Sequence, residues 1–198
     1  MPMMRRTVLV FLALAGVLAT AGAQGAQGAQ GARAGDKLVF IVRHAEKASA
    51  TDPDPSLSDA GKERAVALAA ALRDARVSAI LVTARKRTAE TAAPLASALE
   101  LTSHVVPFGA STPEHVAAVA AAVRAAPGAA VLVVGHSNTV PAIIAALGGP
   151  TMPDLCDAAY ANLFIVRLPA SGAPSLVRAQ FGAADHAEAA SCPGMTVR

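Results

Sequence analysis

The chain has 198 residues, 54% of them hydrophobic but only 3% aromatic and 16% charged, which is room for one ordinary domain and not two. So little charge beside so much apolar content excludes a mainly disordered chain. With no Trp and a single Tyr, Tyr160, an aromatic stacking platform for single-stranded nucleic acid is also excluded. The formal charge is +3, but two of the 17 cations, Arg5 and Arg6, fall in a leader; the mature balance of +1 gives no reason to expect a nucleic-acid partner.

The leader is residues 1–23: Arg5 and Arg6, the apolar run Val8–Ala19, then Ala21-Gly22-Ala23. A positive start, a short apolar core and an A-x-A ending make a secretory signal, with cleavage expected between Ala23 and Gln24. The run is short for a membrane span, which needs about 20 residues; an uncleaved anchor is the competing reading. Residues 24–35 form a low-complexity linker rich in Gln, Gly and Ala. The folded domain is expected over 36–198, in the periplasm or secreted, with no stable membrane insertion after cleavage. Such a compartment permits a disulfide between Cys156 and Cys192; two separate thiols are the equal alternative.

Leu38–Arg43 is an apolar, β-branched run without alternation, which predicts a strand covered on both faces. Ser58 opens a helix to about Ala75. Ala79–Val82 reads as a second strand and Lys86–Leu99 as a helix containing Pro94. Val105–Val106 is a weak third strand. Ser111-Thr112-Pro113-Glu114 is a helix start, with a Ser cap, a first-turn Pro and a Glu three residues on. That helix runs to about Ala126. Ala130–Val134 is another buried strand, Thr139–Leu147 a helix ending at Gly148-Gly149, and Leu163–Leu168 and Leu176–Phe181 two closing strands. This alternation predicts an α/β fold, a three-layer sandwich with a mostly parallel central sheet.

In such sheets, binding sites collect beyond the carboxyl ends of the strands. There the chain has Arg43-His44-Ala45-Glu46-Lys47 after the first strand, Thr83-Ala84-Arg85-Lys86-Arg87-Thr88 after the second, and Gly135-His136-Ser137-Asn138-Thr139 after Ala130–Val134. Guanidinium forks match phosphate oxygens, a helix start adds free N–H groups, and a neutral imidazole can attack phosphorus. Neighbouring arginines favour the neutral form. A serine hydrolase is a rival: Gly135-His136-Ser137-Asn138-Thr139 approaches G-x-S-x-G, with Asp154 or Asp157 and then His186 downstream. Thr139 replaces the small final Gly, and that reading leaves Arg43-His44 and Arg87 unexplained. His104, His115 and His186 read as packing or surface residues. Glu46 and Lys47 are either a surface pair or part of a pocket mouth. No histidine spacing specifies a metal site.

Four segments in order resemble the histidine phosphatase superfamily, the phosphoglycerate mutase-like group. Arg43-His44-Ala45 stands for its Arg-His-Gly, and Leu57-Ser58-Asp59-Ala60-Gly61 for Leu-(Ser/Thr)-x-x-Gly. Thr83 to Ala92 matches the segment around its second arginine, here Arg87, and Val131 to His136 matches its second histidine. The short insert between Glu46 and Leu57 is most similar to the small SixA-like branch. The resemblance implies a phosphoglycerate mutase-like fold and a phosphatase acting on phosphomonoesters or phosphohistidine. Its substrate would be a small phosphorylated compound or a phosphoprotein. His44 would be the nucleophile, Arg43 and Arg87 the phosphoryl clamp, and His136 a second phosphoryl ligand, with Ser137 binding substrate and no metal or cofactor. Glu114 is the candidate general acid, although it is also the capping Glu of its helix. A catalytically silent phospho-ligand binder would keep the same pocket residues.

Overall fold

The computed structural model describes residues 35–185. The leader 1–23, nearly all of the linker, His186 and Cys192, and with Cys192 any pairing to Cys156, lie outside the described residues. In chain order the elements are β1 (Lys37–Arg43), α1 (Asp59–Leu72), β2 (Ala79–Val82), α2 (Lys86–Ala98), β3 (His104–Val105), α3 (Thr112–Ala125), β4 (Ala130–Gly135), α4 (Thr139–Ala146), β5 (Asn162–Leu168) and β6 (Ser175–Gln180). The expected strands and helices are all present, displaced by no more than about three residues at their ends. The largest change of sense is at β3. Val106, expected in the strand, turns into the core while its N–H bonds the Val82 carbonyl.

One six-stranded sheet has the order β3-β2-β4-β1-β5-β6. The β3, β2, β4 and β1 strands run parallel, and β5 and β6 close the sheet antiparallel. Side chains alternate strictly across it. Val39, Ile41, Val131 and Val133 face one core with Val119 and Val123 of α3 and Ile143 and Ile144 of α4. Phe40, Val42, Leu132 and Val134 face the other, with Leu68 and Leu72 of α1 and Leu95 of α2. The three layers follow from this, and so does the absence of alternation in the β1 and β4 sequences: both faces of each strand are buried.

Two loops are fixed by local chemistry that bears on the site. Ser58 Oγ accepts the Gly61 N–H, 3.1 Å, and caps α1. The Ser58 N–H in turn reaches back to the Glu46 carbonyl, 2.9 Å, just past β1. Gly61 lets that carbonyl lie against the first turn of α1, because a Cβ there would overlap the oxygen. The Leu57–Gly61 motif is thus a clasp that holds the loop following His44. On its outer side Arg64, buried, grips Glu46 with three hydrogen bonds of 2.7–3.0 Å and also donates to the carbonyls of Phe181 and Ala183. Glu46 therefore pairs with Arg64 rather than with Lys47.

Gly61→Ala is expected to destabilise the domain by about 1–3 kcal/mol, the usual cost of overpacking. Denaturant unfolding checks this, and an unchanged midpoint would show that the clasp has slack.

Candidate active site

The register of the two central strands assembles the site. β1 and β4 run parallel with Arg43 opposite Gly135. The next residue on each strand is a histidine, so His44 and His136 emerge side by side at the carboxyl edge of the sheet. Their ring centroids are 5.4 Å apart, edge to face. β2 lies on the other side of β4 with Val82 opposite Val134, which brings Thr83 beside His136 and starts α2 over the pair. Arg87 sits in the first turn of α2, its Nη2 3.5 Å from His136 Nδ1. Arg43, His44, Arg87, His136 and Ser137 all line one pocket of about 490 Å³.

Hydrogen bonds set the state of each ring. His44 Nδ1 lies 2.8 Å from the Ala45 carbonyl. A carbonyl only accepts, so Nδ1 carries the proton and Nε2 keeps its lone pair. His136 Nε2 lies 3.0 Å from Thr83 Oγ1, which continues to Thr88 Oγ1 at 3.0 Å, and Thr88 donates to backbone carbonyls. Donation along that chain leaves His136 Nδ1 to accept from Arg87. Both rings are almost fully buried, at 4% and 8% exposed. Burial is the largest cause of their acidity: it lowers the pKa of His44 to about 4 and that of His136 to about 3. The cations Arg43, Arg87 and Lys47 act in the same sense on His44, while its bond to Ala45 opposes. Burial outweighs the arginines that the sequence reading invoked for neutrality.

Arg43, 3% exposed, is held from the loop before β5. Its Nη1 donates to the Cys156 and Asp157 carbonyls at 2.8 and 3.0 Å, and its Nη2 to Asp157 Oδ1 at 3.1 Å. The guanidinium also lies 4.4 Å over the Tyr160 ring. Arg87 faces Asp54 at 3.7 Å, and the same carboxylate accepts the Lys86 N–H at the start of α2. The Nε atoms of Arg43 and Arg87 are both buried without an acceptor. Two arginines beside two neutral imidazoles, all lining one pocket, suit an anion with several oxygens. Among the described residues no group of three or more His, Cys, Asp or Glu side chains is placed to hold a metal ion.

The structure separates the remaining expected residues. Glu114 does not line the pocket. Its Oε2 accepts the Ala110 N–H at 2.8 Å while its own N–H bonds Ser111 Oγ, so it fastens the start of α3. Asp157 is the one carboxylate among the residues lining the pocket. His115, read as a packing residue, is buried against Phe108 with Nδ1 on the Pro107 carbonyl, yet it reaches the pocket wall. His104 is on the edge strand β3. Thr91 ties the motifs together: its Oγ accepts the Ala45 N–H at 2.9 Å and donates to the Arg87 carbonyl at 2.7 Å. Asp54, Thr83 and Thr91 were not singled out as site residues from the sequence, and Asp157 was weighed only as a partner of a serine nucleophile. For Thr91 a signal existed, its recurrence four residues after Arg87 on one helix face.

Residues 39–107 match the model of the histidine phosphatase superfamily (branch 1). The matched stretch carries Arg43-His44, the Leu57–Gly61 clasp and Arg87, and stops before His136. Solved structures share the fold. The protein histidine phosphatase SixA, solved with tungstate, is 21% identical over 72% of this chain and 96% of its own, with a TM-score of 0.55. A SixA protein of Nakamurella multipartitia is 23% identical over 75% and 98%, at 0.52. A mycobacterial glucosyl-3-phosphoglycerate phosphatase is 17% identical over 71% and 97%, at 0.56. No curated protein matches the chain. The sheet and helices thus form the histidine phosphatase fold, also called phosphoglycerate mutase-like.

The buried rings have a consequence for stability. Both pKa values lie below the ordinary 6.5, so between about pH 6.5 and 4 the unfolded chain binds more protons than the folded one. Stability is therefore expected to fall as pH drops through that window, by about 1.4 kcal/mol per pH unit for each imidazole kept neutral. His136→Gln removes one such increment. Unfolding free energies measured from pH 7 to 4 check this; a slope equal to that of wild type would contradict it.

Proposed function

We propose that the protein is an exported, metal-independent phosphatase that passes a phosphoryl group through His44. The observation that carries this reading is the state of His44. It is a buried neutral imidazole with its proton held on Nδ1, flanked by two arginines whose buried Nε donors have no acceptor. The bare Nε2 is the nucleophile. In the first step its lone pair forms a bond to phosphorus as the bond to the leaving group breaks. Arg43 and Arg87 hold the non-bridging oxygens. Once the phosphoryl group is bound, its charge favours a proton on His136, which then donates from Nδ1 to an oxygen as negative charge develops. In the second step water attacks phosphorus, the P–N bond breaks and the lone pair returns to Nε2. The positive field that such a transfer needs is supplied by side chains.

Glu114 is occupied at the start of α3, and Asp157, the one carboxylate lining the pocket among the described residues, touches Arg43 with a side chain that is 94% exposed, so no enclosed carboxyl group faces His44 as a proton donor. The site therefore suits leaving groups that depart without a proton. Phosphohistidine and activated phosphomonoesters fit that description, in keeping with the name of the SixA neighbour. The serine hydrolase alternative gains nothing: among the described residues no histidine nitrogen is bonded to Ser137. A silent binder would use the same pocket, but a binder has no need of a bare nucleophilic nitrogen.

Hydrolysis of an aryl phosphate and of an aryl ester by wild type, His44→Ala and Ser137→Ala separates the readings. Phosphate release is expected to fall at least about a thousandfold in His44→Ala, as for loss of a covalent nucleophile, and to survive in Ser137→Ala. Phosphate release that survives His44→Ala would overturn the proposal. Ester cleavage lost in Ser137→Ala would establish the hydrolase.

The export half of the proposal rests on the leader. N-terminal sequencing of the protein recovered outside the cytoplasm is expected to begin near Gln24, and intact Met1 in the membrane fraction would show an anchor instead.

A further inference from the structure

One buried cation takes no part in the proposed reaction. Arg64, on α1, is 6% exposed and does not line the pocket. Its Nε and Nη2 hold the Glu46 carboxylate, and its Nη1 holds the Phe181 and Ala183 carbonyls. Its Nη2 also stands 4.0 Å from Asp185 Oδ1, a charge contact rather than a hydrogen bond. One guanidinium thus faces two carboxylates, and it joins α1 to the loop after β1 and to the chain that leaves β6.

Each carboxylate leads on to a group of the pocket. Glu46 follows His44 by two residues, and its carbonyl is the one that Ser58 holds and Gly61 makes room for. Asp185 Oδ1 accepts the N–H groups of Tyr160 and Ala161, both at 2.8 Å, just before β5. The Tyr160 ring lies 4.4 Å from the Arg43 guanidinium and 6.4 Å from the His44 ring. Two routes of short contacts therefore run from Arg64 to the site, one to the loop behind His44 and one to the seat of Arg43. Packing gives no reason for this arrangement. Burying a cation between carboxylates costs desolvation, and apolar side chains of similar volume hold a helix as well or better. What the guanidinium fork adds is fixed geometry, because its five coplanar donors set several acceptors at once.

We infer that Arg64 is a positioning residue for both halves of the site. Through Glu46 it sets the loop behind His44, and through Asp185 and Tyr160 it sets the plane of the Arg43 guanidinium. The structural consequence follows from these contacts alone; the kinetic one rests on the phosphatase reading. A displacement of about 1 Å in a positioned group costs on the order of a hundredfold in rate.

Tyr160 is the one tyrosine of a chain without Trp, so the tyrosine band in near-ultraviolet circular dichroism reports this ring alone. Arg64→Lys keeps the charge and loses the fork. Its kcat on an aryl phosphate is expected to fall about ten- to hundredfold, with a weakened tyrosine band and an unchanged far-ultraviolet spectrum. Val123→Ala is the control: it opens a cavity in the core on the opposite face of the sheet and touches none of these contacts. Below its lowered melting temperature it is expected to keep both kcat and the tyrosine band. Where Arg64→Lys does not fold, Asp185→Ala carries the test, since it leaves the pair of Arg64 with Glu46 intact and removes the acceptor that holds Tyr160; a weakened band and a smaller loss of kcat are expected. Wild-type kcat with an unchanged tyrosine band in the folded variant would overturn the inference, as would an equal loss of both in Val123→Ala. Wild type that releases no phosphate from the aryl ester would overturn the phosphatase reading instead, and the tyrosine band together with calorimetric binding of inorganic phosphate would then decide on Arg64.

Discussion

Everything at the site depends on the parallel pairing of β1 with β4. With Arg43 opposite Gly135, the following residue on each strand is delivered to the same point of the sheet edge. The His44 N–H donates to the Gly135 carbonyl at 2.9 Å, so the ladder continues one step into the site. A slip of one residue would turn His44 or His136 to the other face of the sheet. Register is secured by the burial of both faces of both strands, which commits four side chains of β1 and five of β4 to two separate cores. The cores therefore do chemistry indirectly: they position two imidazoles that are 92 residues apart in the chain.

The second constraint is electrostatic. Four cations and two imidazoles share one hollow, an arrangement that would be repulsive if the rings were charged. Burial resolves it by keeping both rings neutral near pH 7. The unsatisfied Nε atoms of Arg43 and Arg87 remain as a standing cost, of the size that buried donors without partners carry, about 1–3 kcal/mol each. In the proposed reaction, binding and protonation are coupled, because an arriving dianion would make a proton on His136 favourable where the resting pocket makes it unfavourable.

Much of this was legible in the sequence. The β1 and β4 strands read as doubly covered runs because their residues are apolar without alternation, and the helix starts at Ser58 and Ser111 are written in their caps. The pocket residues Arg43, His44, Arg87 and His136 were visible because strand, loop and helix recur around them. Less legible were contacts that depend on how a loop folds back. Asp157 reaches Arg43 from 114 residues away, and Asp54 reaches Arg87 from an irregular loop. Nothing periodic marks either. Glu46 pairs with Arg64, which from its spacing reads only as one more polar residue on α1. Glu114 was offered both as a general acid and as a capping residue; its carboxylate accepts from the Ala110 N–H, one residue before the Ser111 cap.

The central claim is that the bare Nε2 of His44 accepts phosphorus. The direct measurement is peptide mass spectrometry after an alkaline denaturing quench of the protein turning over an aryl phosphate. The account predicts a phosphoryl group on His44 that persists in alkali and is lost in acid, as a phosphoramidate is. Phosphate found on Ser137, or turnover with no covalent phosphate on the chain, would contradict it.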